Sequence, residues 1–325
     1  VEYHQVDLNR KELFLMTQYE KDLAAVKQNS HTLQYVKEQT PELCLVAVKQ
    51  DGFAIRYIKE QTPEICLAAV KQNGYALQYV NKKTPEICLA AVKQNGDALL
   101  FVDKQTPEIC LAAVQQDGSA LQYIKNQTTE LCLVAVQQDG IILMAVKDQT
   151  SEICLAAVKQ DGDALLFVKE QTPELCLAAV QQNGLILRDV KEQTPELCLA
   201  AVKQDGYALH YVNKQTSEIC LAAVKQDGDA LQYVKKQTPK LCLIAVQKNG
   251  YAIQYVKEQT SELCLFALKK NRECSKFIKI FSDEVLYYLI KNNISFDLRR
   301  IKKNIPDELK LLLVLNYGVS PSRFK

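Results

Sequence analysis

No stretch of the 325-residue sequence approaches the run of about 18 apolar residues that a membrane-spanning helix needs, so no span is predicted. Neither sign of charge is in excess. With 40 Lys and Arg against 38 Asp and Glu, the formal net charge is +2, which argues against the electrostatic footprint of a nucleic-acid or membrane-surface binder. Histidine is scarce: His4, His31 and His210 are the three, and none has the unique, positioned partner that a catalytic base requires. There is no C-x-x-C, and the closest cysteines, Cys264 and Cys274, have no histidine beside them, so zinc is unsupported. Glycines follow helices rather than open them, which excludes phosphate loops. These absences predict no enzyme, no cofactor and no metal site.

What is present is a period. Threonine stands at 40, 62, 84, 106, 128, 150, 172, 194, 216, 238 and 260, each 22 residues after the last, with no insertion or deletion. Cysteine follows four residues later every time, from Cys44 to Cys264, and glycine twelve later, from Gly52 to Gly250, failing at Arg272. Self-similarity at this period predicts a stacked repeat array. A worn first copy runs from Gln18 to Gln39, with Ser30 in the glycine place, and eleven more end at Phe281, making twelve.

The clearest copy is Thr62 to Lys83, TPEICLAAVKQNGYALQYVNKK. Thr62 can cap a helix whose first position suits Pro63 and whose positive end suits Glu64. The run Ile65 to Val70 is apolar without a break, so this helix is expected to be buried nearly all round. Asn73-Gly74 is expected to stop it with glycine in the left-handed conformation. Apolar residues at 76, 77, 79 and 80 then predict one face of a second helix of about eight residues. Strands are a poor competitor, because period-two alternation is absent. The expected fold class is all-α: an αα-hairpin solenoid of twelve 22-residue repeats with a helical C-terminal cap.

In domain terms, residues 1–17 form an N-terminal cap in which Leu13-Phe14-Leu15-Met16 could cover the first apolar face. Residues 18–281 form the array. Residues 282–325 form a C-terminal cap with helix starts at Ser282-Asp283-Glu284 and Pro306-Asp307-Glu308 and a stop near Gly318. Its cluster of Arg299, Arg300, Lys302 and Lys303 reads as a solvated helix face or as a phosphate- or acid-binding patch.

Eleven of the twelve cysteines share one repeat position. Neighbouring helices stack roughly 8–10 Å apart, while a disulfide needs Cα atoms within about 7 Å. Small buried thiols in a reducing, intracellular compartment are the expectation. Asp51, Asp117, Asp139, Asp161, Asp205 and Asp227 form a row that could hold cations, but a left-handed turn role accounts for them and Asn replaces Asp in other copies.

The recurring Ala-Val-Lys-Gln-Asn/Asp-Gly followed by Ala-Leu-Gln-Tyr-Val resembles a family of short repeats of unknown function, found in giant viruses of amoebae and in amoeba-associated bacteria. The resemblance covers about residues 18–281. It implies no catalytic residues. It implies a viral or bacterial protein acting inside a eukaryotic host cell, in the host cytoplasm if viral.

Specificity is expected where the copies differ. The residue after glycine varies (Phe53, Tyr75, Asp97, Ser119, Ile141, Asp163, Leu185, Tyr207, Asp229, Tyr251), as does the residue three later, from Arg56 to Gln254. Positions i and i+3 share a helix face, so the two series make one stripe. The aromatic that follows is missing at Ala145 and Asp189, and the same copies carry Ile142 and Ile186 in place of alanine. Compensating core packing is one reading. The other is a contact centre for a protein partner at Ile141, Met144, Leu185 and Arg188, with Tyr75, Tyr207 and His210 on the same stripe. Two further functions stay open: a modular RNA-binding array, for which lysines such as Lys49 and Lys71 speak and the near-neutral charge speaks against, and self-assembly of exposed repeat faces.

Overall fold

The computed structural model describes residues 17–301 and 305–320. The expected cover at Leu13 to Met16, His4, and Lys302 and Lys303 of the basic cluster lie outside the described residues. The architecture is the all-α repeat solenoid that the period predicts, and no strand occurs among the described residues. The chain divides into two compact units, Val1–Lys169 and Glu170–Lys325, and each is a stack in which α-helices lie against α-helices and short helices against short helices.

Copy three shows the local physics. Thr62 is extended (φ −79°, ψ 156°), and its hydroxyl accepts from Ile65 N at 3.3 Å, capping the ten-residue helix Pro63–Gln72. The same cap starts the helix of every copy from two to twelve. Ile65, Cys66, Ala69 and Val70 are buried. Leu67 and Ala68, inside the same apolar run, are half-buried.

The second element is tighter than its spacing predicts: a 3-10 helix of six residues, Gly74–Tyr79, in place of a helix of about eight. Spacing i, i+1, i+3, i+4 fits both forms, because residues three apart eclipse in a 3-10 helix. Ala76, Leu77 and Val80 are its buried face. The glycine also acts differently from the expectation. Among the described residues, positive φ occurs only at Asn293 and Gly318, so no repeat glycine is left-handed. Asn73 is extended instead (φ −149°, ψ 112°), and its Oδ1 accepts from Tyr75 N at 3.0 Å, capping the 3-10 helix. Asp51 and its equivalents do the same, as when Asp51 Oδ1 accepts from Phe53 N at 2.9 Å. The carboxylate row is therefore a row of helix caps rather than of left-handed turns. Asn and Asp exchange freely because both offer the same oxygen.

Glycine is required by the next copy. A Cβ on Gly52, Gly74 or Gly96 would lie 2.5, 2.6 or 2.7 Å from the carbonyl oxygen of Ala69, Ala91 or Ala113 in the helix that follows. That close approach lets Gly52 N donate to Gln72 Oε1 at 2.6 Å, while Gln72 Nε2 donates to Gln50 O at 3.3 Å. Read as facing water, the Lys-Gln pair thus ends in a side chain that joins two copies.

A second glutamine row joins them at the other end. Gln61 Nε2 donates to Tyr79 O at 2.9 Å, and its Oε1 accepts from Asn81 N at 2.9 Å, across the joint to the next copy. The same Oε1 lies 3.9 Å from Cys66 Sγ. In copy three the row is interrupted: Lys83 stands where glutamine belongs, and its ammonium is 3.5 Å from Asp103, where other copies have Lys or Asn. Replacing Gln61 by leucine keeps the bulk and removes both bonds. It should cost about 1–3 kcal/mol, the scale of leaving polar groups unpaired. Denaturant unfolding checks this, and an unchanged midpoint would mean that water replaces the clamp at no cost.

After the last copy, Ser282 caps helix Asp283–Lys291, with its Oγ accepting from Val285 N at 3.4 Å. Val285, Leu286, Leu289 and Ile290 are buried, and the helix lies against the α-helix of copy twelve. Helix Asp307–Tyr317 ends at Gly318 (φ 63°, ψ 26°), the left-handed stop that the sequence predicts.

Candidate interaction surface

The two variable positions differ in what they expose. In the first unit the residue after glycine, or after Ser30 in the first copy, is half-buried in every copy, and where it is a ring in copies one to three it packs against the aromatic of the next copy. Ring pairs His31–Tyr57, Phe53–Tyr79 and Tyr75–Phe101 meet edge to face with centroids 5.6, 6.0 and 6.1 Å apart. Tyr75 also donates its hydroxyl to Asp97 Oδ2 at 3.0 Å, and that carboxylate is the main reason its phenol pKa is raised. Tyr75 is thus tied into the stack. His31 Nε2 lies 2.8 Å from Asp51 Oδ2 in the same fashion.

The residue three later points to water. Arg56, Gln78, Leu100, Gln122, Met144 and Leu166 are all exposed. Three of them are large and apolar: Leu100 is 57% exposed, Met144 67% and Leu166 51%. They fall at one repeat position in copies four, six and seven. Of the predicted residues in this unit, Met144 stands fully on this row, while Ile141 is half-buried and Tyr75 lies three copies away. Leu100 and Leu166 belong to the variable series, but their exposure could not be read from the sequence.

Around Ala145 the missing aromatic comes with a displaced joint. Ile142 extends toward the preceding copy, and its Cδ1 lies 2.8 Å from where a Cβ on Gly118 would be. The Ala135 carbonyl stands 3.1 Å from that point, farther than in the regular copies, and Gln138 Nε2 donates to Val114 O rather than to the carbonyl 22 residues back.

In the second unit Leu185 (38% exposed) and Tyr207 (36%) emerge, in neighbouring copies eight and nine. Arg188 is exposed, and its Nε lies 3.1 Å from Asp189 Oδ2, the residue in the aromatic's place. This contact with Asp189 raises the guanidinium pKa further. His210 packs on Tyr211 and Tyr233, with centroids 5.0 and 4.8 Å away. Ile186 is buried. The structure thus gathers Leu185, Arg188, Tyr207 and His210 on adjacent short helices. Copies six and eight belong to different units.

Of the tail's basic cluster, the two described arginines are engaged within the chain. Arg299 pairs with Asp297 at 3.0 Å, and Arg300 Nη1 donates to Ile278 O at 3.1 Å. All twelve cysteines are free thiols and buried. Among the described residues, no group of three His, Cys, Asp or Glu side chains could hold a metal ion. No helix there is long and apolar enough to cross a membrane.

Residues 62–106 and 194–238 match the model of a family described as a domain of unknown function (DUF4116). Both matches begin on a repeat threonine and run through two whole copies to the next threonine, one in each unit. No curated protein and no solved structure matches the chain. The matched stretches are similar to a repeat family of unknown function.

Proposed function

We propose that this helical-repeat chain is a non-enzymatic scaffold that binds a protein partner through the exposed row of its short helices. The observation that supports this is the exposure of Leu100, Met144 and Leu166 at one repeat position, where the other copies of the unit carry Gln or Arg. Exposed apolar groups in line, flanked by polar neighbours, are what a partner surface uses. Leu185, Arg188, Tyr207 and His210 form a second contact group in this reading. Twelve free, buried thiols support a reducing, intracellular setting. The repeat resemblance adds a viral or bacterial protein at work in a host cell.

The test replaces Leu100, Met144 and Leu166 by glutamine, the residue of Gln78 and Gln122. Folding should be unchanged, and affinity for the partner captured by the intact chain should fall by about 2 kcal/mol or more, the loss of a hot spot. Equal retention of every captured protein by both chains would refute the row as the binding surface. A second variant restores common residues with Ile141→Tyr, Met144→Gln, Leu185→Tyr and Arg188→Gln, and tests the contact groups at the divergent copies.

A further inference from the structure

Copy eleven departs from the others in charge. From Ala230 to Lys257 the chain carries Lys235, Lys236, Lys240, Lys248 and Lys257 and no Asp or Glu. Lys240 stands where every other threonine-started copy has glutamate, from Glu42 to Glu262. In the fold this helix start meets that of copy ten, and the turn at 235–236 closes a groove of about 410 Å³ between them. Lys235, Lys236 and Lys240 line it, with Asn213, Ser217 and Thr238, and no carboxylate does. Nor does any described carboxylate lie within ion-pair distance of the three ammonium groups. Lys235 Nζ reaches only the Asn213 carbonyl, at 3.4 Å. The adjoining groove shares Lys235 and Lys240 but is also lined by Glu258 and Glu262, so its charge is partly balanced.

Three uncompensated cations around one concave space favour an anion of several charges. The volume lies in the range of small-molecule sites and exceeds what one phosphate fills. Lysine is a point-charge binder of phosphate that needs no fixed fork geometry. Thr238 Oγ1 accepts from Leu241 N at 3.3 Å, which leaves its hydroxyl proton to donate, and Ser217 is exposed at the rim. We propose that the groove between copies ten and eleven binds a compact oligophosphate, with Lys235, Lys236 and Lys240 holding the charge and the Ser217 and Thr238 hydroxyls donating to phosphoryl oxygens. The shared chemistry is several phosphate charges held close together, carried either by a free oligophosphate or by a lipid headgroup with more than one phosphate.

Calorimetric titration of the whole chain with tripolyphosphate tests this. One saturable site that weakens as salt rises is expected, and Lys240→Glu and Lys236→Gln should each weaken it about tenfold or more. Lys240→Glu restores the residue of the other copies and should melt no lower than the parent, so lost binding cannot be blamed on unfolding. Flotation with vesicles carrying a bisphosphorylated inositol lipid separates the sources. Capture that depends on Lys240 assigns the headgroup, and tripolyphosphate binding without capture assigns the free compound. The proposal is overturned by absent or non-saturable tripolyphosphate binding, by equal affinity in both variants, or by binding of nucleic acid alone that Lys240→Glu does not change.

Discussion

Alanine at Gly74 should destabilise the first unit by about 3 kcal/mol or more, the upper range of overpacking, although glycine-to-alanine changes at ordinary φ usually stabilise. The new methyl would sit 2.6 Å from the Ala91 carbonyl oxygen, a backbone atom held by its own helix. It can be relieved only by moving copy four away from copy three. That movement also breaks the bond from Gly74 N to Gln94 Oε1, now 2.5 Å, and loosens apolar contacts along the joint. Because each copy touches only its neighbours, the damage should be felt as a weakened coupling at one joint. Gly250 supplies the control. There a Cβ would meet Cys274 Sγ at 3.4 Å and Ala267 O at 3.5 Å, ordinary contact distances. Gly250→Ala should therefore be neutral or slightly stabilising. Denaturant unfolding of the two variants checks the contrast; equal effects would mean that conformational freedom, not close approach, is why glycine recurs.

The second large effect is with pH. Burial pushes up the thiol pKa in every copy from Cys44 to Cys264, and Cys264 and Cys274 are raised to about 11. The unfolded chain loses these protons near pH 8.5, the ordinary value, while the folded chain keeps them. The unfolded state then binds fewer protons, so stability falls as pH rises. It is fully present below about pH 8 and is lost as pH climbs toward the folded values. Each unit holds six such thiols. All six shifts in a unit have the same sign, so their contributions to the fall in stability add. Unfolding between pH 8 and 10 should therefore be steep, and a disulfide-exchange reagent at neutral pH should find no fast thiol until the chain unfolds, then twelve. Alanine at Cys44, Cys66, Cys88, Cys110, Cys132 and Cys154 should flatten the slope for the first unit whatever it does to the baseline. A slope unaltered by that change would assign the alkaline transition to tyrosines or lysines instead.

Much of one copy was legible in its residues because the causes are local. Thr-Pro-Glu starts a helix through capping and dipole effects within one turn, and Thr62, Pro63 and Ile65 occupy the places that this chemistry predicts. Burial of Cys66 and Val70 follows from helical periodicity, the tail's start at Ser282 from the same kind of cap, and the start at Asp307, which has no side-chain cap, from the acidic first turn of Asp307 and Glu308. The register needed nothing beyond counting from Thr40 to Thr260. What stayed hidden depends on atoms about twenty residues away. Spacing could not choose between 3.6 and 3.0 residues per turn for Gly74–Tyr79, and the choice shows only once the following copy is in place. Gly74 looked like a left-handed stop until the Ala91 carbonyl lay against it. Glutamine precedes ten of the eleven repeat threonines, a signal of the clamp visible in the sequence, but its partners lie across the joint and leave no local pattern. Exposure on the variable stripe divided for the same reason: Tyr75 packs against Phe101 of the next copy, whereas Met144, three residues after Ile141, is 67% exposed. Short-range chemistry within 22 residues settles the form of one repeat, and the contacts between repeats settle which of its side chains remain free to bind anything else.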